Sequence, residues 1–211
     1  MSYPNYSKSE VKADRAVHLA GIMFSTIAGP ILIWYVALEG ETIAIIAVSI
    51  YVVTLLAMFF ASAVYNLTSR KRPIKALFRR LDHSAIYLKI AGVYTPFAAL
   101  SMGGGGRRLL IGVWVAALSG LGMKMVLSHR HEVLSLFLYV GIGWAAAPFL
   151  SELLASISYD TAILLFTGGA LYMIGIGFHL WTRLAYHNAI WHGFVLVATT
   201  VIYAAIATEY A

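Results

Sequence analysis

Five polar side chains stand within or at the edges of strongly apolar segments, at spacings that could build one site. Ser62 and Asn66 are four residues apart, as are Asn188 and His192, so each pair lies on one face of a helix. Asp82 opens a third apolar segment. Polar and ionisable groups in membrane spans are costly and usually face the interior of a helix bundle. These residues predict a shared binding or catalytic site, and hydrogen bonding between helices without any ligand is the structural alternative.

Two further residues, Lys89 and His179, are expected to line this site. Lys89 follows Asp82 by seven residues and returns to nearly the same helical face, about 10 Å deeper in the membrane. A charge at the centre of a span costs roughly 2.5–3.5 kcal/mol, so the ammonium group needs a partner. One hypothesis is that Lys89 keeps Asp82 ionised, and the alternative is that its long stem reaches water or lipid headgroups. His179 is expected at the same membrane level as the site.

Composition predicts that these residues lie in a membrane protein. Of the 211 residues, 61% are hydrophobic and 11% are charged, whereas a soluble domain is roughly 45–50% apolar and about 25% charged. The chain has no cysteine, which excludes disulfides and thiolate metal ligands. We expect one membrane domain over residues 1–211, with a short cytoplasmic N-terminal segment, 1–16. That segment has mixed charge and no apolar core, unlike a cleavable signal peptide.

Seven apolar segments could position the polar residues. A spanning helix needs about 20 mainly apolar residues, and these segments lack the alternating pattern of barrel strands. The predicted fold is therefore an all-α bundle of seven transmembrane helices. The predicted spans lie near residues 17–38, 43–66, 83–102, 108–127, 133–150, 161–181 and 188–208.

The distribution of cations predicts how this bundle is oriented. Basic residues precede the first span, fill the loop after the second, and recur between the fourth and fifth spans and before the seventh. These cations are Lys8, Lys12, Arg15, Arg70, Lys71, Arg72, Lys75, Arg79, Arg80, Lys124, Arg130 and Arg183. By the positive-inside rule, the N-terminus is cytoplasmic and the C-terminus is outside, the reverse of G-protein-coupled receptors. Most of the cations behind the net charge of +6 lie in these loops, so nucleic acid is not an expected partner.

Four segments resemble the hemolysin III family. They are SAVYN (62–66), LDHSAIYLKIAGVYTP (81–96), GGALYMIGIGF (168–178) and NAIWHGFVL (188–196). The hemolysin III proteins are bacterial members of the progestin and adiponectin receptor superfamily, which is also similar to the alkaline ceramidases. The resemblance extends from the second span to the seventh. It implies a protein of the bacterial plasma membrane, with membrane lipids and a small hydrophobic ligand as its partners.

The resemblance also implies a buried zinc ion near the cytoplasmic face. The family ligands would be a histidine four residues after a serine in the second helix, and two histidines spaced H-x-x-x-H in the seventh. Ser62, Asp82 and His192 match this pattern, which leaves His192 and Asp82 as candidate metal ligands. Asn66 and Asn188 stand at the positions of the other two histidines. Because a neutral amide is a poor zinc donor, the shape of the site is expected to persist with altered metal chemistry.

Two classes of function remain open from the sequence. The first is a non-catalytic membrane component: a sensor, a small-molecule binder or a membrane-homeostasis factor. The second, implied by the similarity to ceramidases, is a zinc-dependent intramembrane hydrolase of lipid amides. In that enzyme a metal-bound hydroxide would attack the amide, with Asp82 handling the proton and Ser62 assisting. Asn66 and Asn188 favour the first class, and the sequence does not define the oligomeric state.

Overall fold

The computed structural model describes residues 6–68, 73–101, 104–126 and 132–210, and all regular structure in these ranges is helical. Eight α-helices follow one another in these ranges: α1 (Lys8–Glu39), α2 (Thr42–Leu67), α3 (Lys75–Ala99), α4 (Gly105–Val126), α5 (Glu132–Gly143), α6 (Leu150–Ala155), α7 (Tyr159–Leu180) and α8 (His187–Glu209). A short 3-10 helix, Ala147–Phe149, leads into α6. Four cations used to predict the orientation, Arg70, Lys71, Arg72 and Arg130, lie outside the described residues.

Six helical segments of the described chain are long and apolar enough to cross a membrane. They are Lys8–Leu38, Thr42–Leu67, Gly105–Val126, Leu134–Ala155, Tyr159–Leu180 and His187–Glu209. The fourth of these combines α5 and α6, so the predicted fifth span is an interrupted helix. α3 is not among the six, because polar residues such as Asp82, His83 and Lys89 lower its hydropathy. The predicted helical membrane fold is confirmed for these six segments, while the seventh crossing and the orientation stay predictions.

Helices that follow one another in sequence form most of the packing. α2 packs on α1 and α3, α3 packs on α4, α7 packs on α8, and α8 closes the arrangement against α1. The larger core cluster is centred on buried side chains of α2, including Val48, Tyr51 and Leu55. Gly92 of α3 lies so close to α2 that a Cβ atom there would overlap the Thr54 hydroxyl. This close approach holds α3, which carries most of the charged residues of the interior, tightly against α2.

One end of the bundle, where α1, α3 and α8 begin and α2 and α7 end, is called the basic end below. The first turn of α1 is fixed there by a capping box in which Ser7 and Glu10 each accept a backbone hydrogen bond from the other. Glu10 also accepts a hydrogen bond of 3.0 Å from the backbone N–H of Tyr186, just before α8. Tyr186 has φ of 62°, the left-handed conformation, which turns the chain sharply into α8. The starts of α1 and α8 are therefore held together.

Candidate functional site

The residues predicted from α2 and α3 meet at the basic end. The Asn66 amide nitrogen donates to the Ser62 carbonyl oxygen at 3.0 Å and faces the Ser62 hydroxyl at 3.4 Å. The Ser62 side chain lies beside the Asp82 carboxylate, and Asp82 Oδ2 lies 3.3 Å from Nδ1 of His83. Three of the predicted site residues, Ser62, Asn66 and Asp82, are thus neighbours. The amide nitrogen of Asn66 is thus used within its own helix. Because it is a hydrogen-bond donor, it has no lone pair with which to bind a metal ion.

His192 of α8 pairs with two residues of α1. Its Nδ1 lies 2.6 Å from Asp14 Oδ1, and its ring lies 4.4 Å, centroid to centroid, from the ring of His18. His18 Nε2 lies 3.5 Å from Asp14 Oδ2. The three side chains each offer a ligand atom, and these atoms lie within 4.8 Å of one another. Asp14, His18 and His192 are called the α1–α8 triad below.

Sequence reasoning missed the two members of this triad that α1 contributes. Helix α1 begins at Lys8, so residues 8–16 of the predicted N-terminal segment form its first turns and bring Asp14 into the bundle. The missed signal is the spacing of Asp14 and His18, which are four residues apart like Ser62 and Asn66. Residues at that spacing share a helix face.

The α1–α8 triad and the cluster around Asp82, which includes Ser62, Asn66 and His83, belong to one polar region at the basic end. His192 lies within electrostatic range of Asp82, and His179 of α7 lies within range of both. The His179 ring also packs 5.2 Å from the Trp191 ring, centroid to centroid. Asn188 lies half-buried in the first turn of α8, one turn before His192. Five helices, α1, α2, α3, α7 and α8, therefore supply polar side chains to the same end of the bundle.

Comparison with known proteins shows the family of the chain. Residues 13–203 match the model of the family described as Haemolysin-III related. The chain belongs to this family. The match starts one residue before Asp14 and extends past His192, so it includes every residue of the polar region.

Two bacterial Haemolysin-III related proteins resemble the chain over nearly its whole length. The Hemolysin-3 homolog of Bacillus subtilis (strain 168) is 36% identical over 197 residues, 93% of this chain and 92% of that protein. Hemolysin-3 of Bacillus cereus is 33% identical over 199 residues, 94% of this chain and 90% of that protein. Together with the six apolar helices, these relatives identify an integral membrane protein of the bacterial plasma membrane.

A more distant relative connects the family to animal proteins. The human Monocyte to macrophage differentiation factor is 29% identical over 163 residues, which are 74% of this chain and 67% of that protein. This similarity supports the predicted relationship with the progestin and adiponectin receptor superfamily.

The positions at which the hemolysin III resemblance implies zinc do not fit that ion. Of the three implied ligands, only His192 is an imidazole, and Asn66 and Asn188 are amides. Zinc sites favour imidazole, thiolate and carboxylate donors, with at least three from the protein. The His192 ring also faces Asp14 and His18 of α1. The implied ligand set is therefore incomplete, whereas the α1–α8 triad contains two imidazoles and a carboxylate.

Lys89 has a different set of partners from those considered in the sequence. Its ammonium group donates to the Tyr172 hydroxyl and lies 4.1 Å from the centroid of the Tyr172 ring. The Tyr172 hydroxyl is hydrogen-bonded in turn to Thr199 of α8. Among the described residues no ion pair joins Lys89 to Asp82, so the hypothesis that Lys89 holds Asp82 ionised gains no support. Because only 4% of Lys89 is exposed, its stem does not extend to water or headgroups either.

Proposed function

We propose that this chain is a non-catalytic binder or sensor of the plasma membrane, which acts in membrane homeostasis through the polar region at its basic end. In this proposal the basic end is cytoplasmic and α3 supplies the seventh crossing. The burial of Asp82 and Lys89, which are 9% and 4% exposed, supports that role for α3, since neither charge faces lipid. Juxtamembrane cations on α1 and α3 support the cytoplasmic assignment.

The observation that carries the proposal is the convergence of polar side chains from five helices on one end of an otherwise apolar bundle. Such groups are costly in a membrane and mark ligand or ion pathways by default. Asp82 provides a buried carboxylate acceptor. We infer that the ligand is a small amphiphile whose headgroup donates hydrogen bonds through hydroxyl or amide groups, while its tail lies along the apolar helices.

The hydrolase stays as the second candidate, and one observation favours it. Asp82 lies beside Ser62 and within electrostatic range of His192, which is the arrangement that a proton-handling carboxylate near a metal would need. A bound metal would polarise a carbonyl group and generate hydroxide. Asp82 would hold the proton, and Ser62 would orient it. The amides at 66 and 188 argue against this candidate in the form that the resemblance implies, because that ligand set keeps only one imidazole.

Native mass spectrometry of protein purified in mild detergent tests the proposal. The parent is compared with Asp82→Asn and with Asp160→Asn, a matched change at an exposed residue of the opposite end. We expect a retained amphiphile in the parent and in Asp160→Asn. In Asp82→Asn the affinity for this amphiphile should fall roughly tenfold, since a hydrogen bond to a charged group is worth about 1.5 kcal/mol.

A fluorescent ceramide is incubated with the same three proteins to separate the two candidates. Zinc-dependent hydrolysis that Asp82→Asn abolishes and Asp160→Asn preserves would replace the binder with the hydrolase. Equal retention of lipid by all three proteins would refute the proposed binding site. Retention that depends on Asp82, without hydrolysis, is the expected result.

A further inference from the structure

We propose that the α1–α8 triad is a divalent-metal site, with zinc as the favoured ion, and that it replaces the incomplete ligand set at positions 66, 188 and 192. The inference deepens the proposed function, because the ion would bind within the same polar region and connect α1 to α8. It uses His192 from the implied set and takes its other two ligands, Asp14 and His18, from a helix to which the resemblance assigns none.

The donor types and their number fit zinc. The triad contains two imidazoles and one carboxylate, and three protein ligands with one open position are typical of zinc sites that also bind water or a substrate. Asp14 and His18 are four residues apart on α1, so they approach His192 from one helix face. The three ligand atoms lie within 4.8 Å of one another, whereas ligand atoms around tetrahedral zinc are roughly 3.4 Å apart.

An unpartnered buried atom points to a ligand independently of this donor count. His18 is 3% exposed, and its Nε2 makes no hydrogen bond, although it lies 3.5 Å from Asp14 Oδ2. A buried polar atom without a partner is unfavourable. A metal ion between His18 and Asp14 would coordinate this nitrogen. This nitrogen, which makes no hydrogen bond, is therefore an independent indication of the proposed ion.

The surrounding charge also favours a cation. Asp14 is in contact with both histidines of the triad, and Asp82 lies within electrostatic range of His192. Among the residues that the structure describes, this triad is the single group of three or more metal-ligating side chains. We therefore expect one ion per chain.

Zinc titration of the full-length protein in detergent, after chelator treatment, tests the site. Zinc content is measured by elemental analysis and affinity by calorimetry, and cobalt absorption reports on the ligands directly. We expect one zinc per parent chain and a melting temperature that rises with zinc, because the ion binds the folded state. Asp14→Asn and His18→Gln should each weaken binding more than about 100-fold, since even outer partners of metal ligands are worth roughly 10–100-fold.

Matched controls make the outcome specific. His187→Gln removes a nearby histidine whose ring contacts Tyr6 instead of the triad, and Asp160→Asn removes a distant carboxylate. Both should bind zinc like the parent. Asp14→Asn retains the size of the side chain, and an unchanged elution profile shows that the variant is folded.

Two results would overturn the metal site. Absence of stoichiometric zinc from the parent is one, and it leaves the amphiphile-binding test above unaffected. The other is zinc binding that survives His18→Gln but is lost in Asn66→Ala or Asn188→Ala, which would return the ion to the ligand positions implied by the hemolysin III resemblance.

Discussion

Replacement of Lys89 by methionine should leave the protein as stable as the parent or make it slightly more stable. A lysine near the centre of a span costs roughly 2.5–3.5 kcal/mol. Its hydrogen bond to Tyr172 returns about 1.5–3 kcal/mol, and its position over the Tyr172 ring adds about 0.5–2 kcal/mol. The cost of the buried charge and the free energy of its two contacts with Tyr172 nearly cancel. Methionine fills a similar volume without a charge. We therefore expect Lys89→Met to change the free energy of unfolding by less than about 1.5 kcal/mol.

Removing the Tyr172 hydroxyl, and keeping the charge of Lys89, should instead destabilise the protein. Tyr172→Phe leaves the Lys89 ammonium buried without its acceptor, at a cost of about 2–3 kcal/mol. The double variant should recover the stability of Lys89→Met, because no unpaired charge is then left. Thermal unfolding of the parent, both single variants and the double variant in one detergent completes the cycle. Strong destabilisation by Lys89→Met together with a neutral Tyr172→Phe would refute this account of the buried lysine.

Three further predictions follow from other contacts. Gly92→Ala should destabilise the bundle by about 1–3 kcal/mol in thermal unfolding, because its Cβ would overlap the Thr54 hydroxyl, and an unchanged melting temperature would contradict this. The double change Asn66→His and Asn188→His should complete the implied ligand set with His192 and yield tighter zinc binding by calorimetry, and an unchanged affinity would contradict this. Zinc affinity of the parent should fall as pH is lowered from about 7.5 to about 5.5, since protons compete for the imidazoles, and a flat profile would exclude histidine ligands.

The apolar segments were sufficient to predict the helical membrane fold but not every element in it. Length and hydropathy identify six of the spans, because a membrane selects for both. The fifth predicted span, 133–150, covers α5, the 3-10 helix that contains Pro148 and only the first residue of α6. Proline removes a backbone donor, which explains the interruption, but apolar composition alone cannot locate such a break.

The sequence predicted which polar residues share a helix face, but not which of them pair between helices. The i, i+4 spacings correctly placed Ser62 beside Asn66, and Asp82 joined them at the same end of the bundle. His192 pairs with α1 instead, because the rotation of α8 about its axis depends on packing that no local pattern reports. Lys89 shows the same limit, since its partner, Tyr172, belongs to a helix more than 80 positions away in the chain.

The composition of the α1–α8 triad bears on whether the metal has been lost or relocated. Without an ion, Asp14 and His18 would join α1 to α8 only at a cost in the free energy of folding. A buried polar atom such as His18 Nε2 is costly when it has no partner. Well-packed apolar residues often serve as well as a buried ion pair, or better. The triad therefore suits the proposed metal site better than a purely structural role, and the amides at 66 and 188 agree with a proposed site that lies closer to α1.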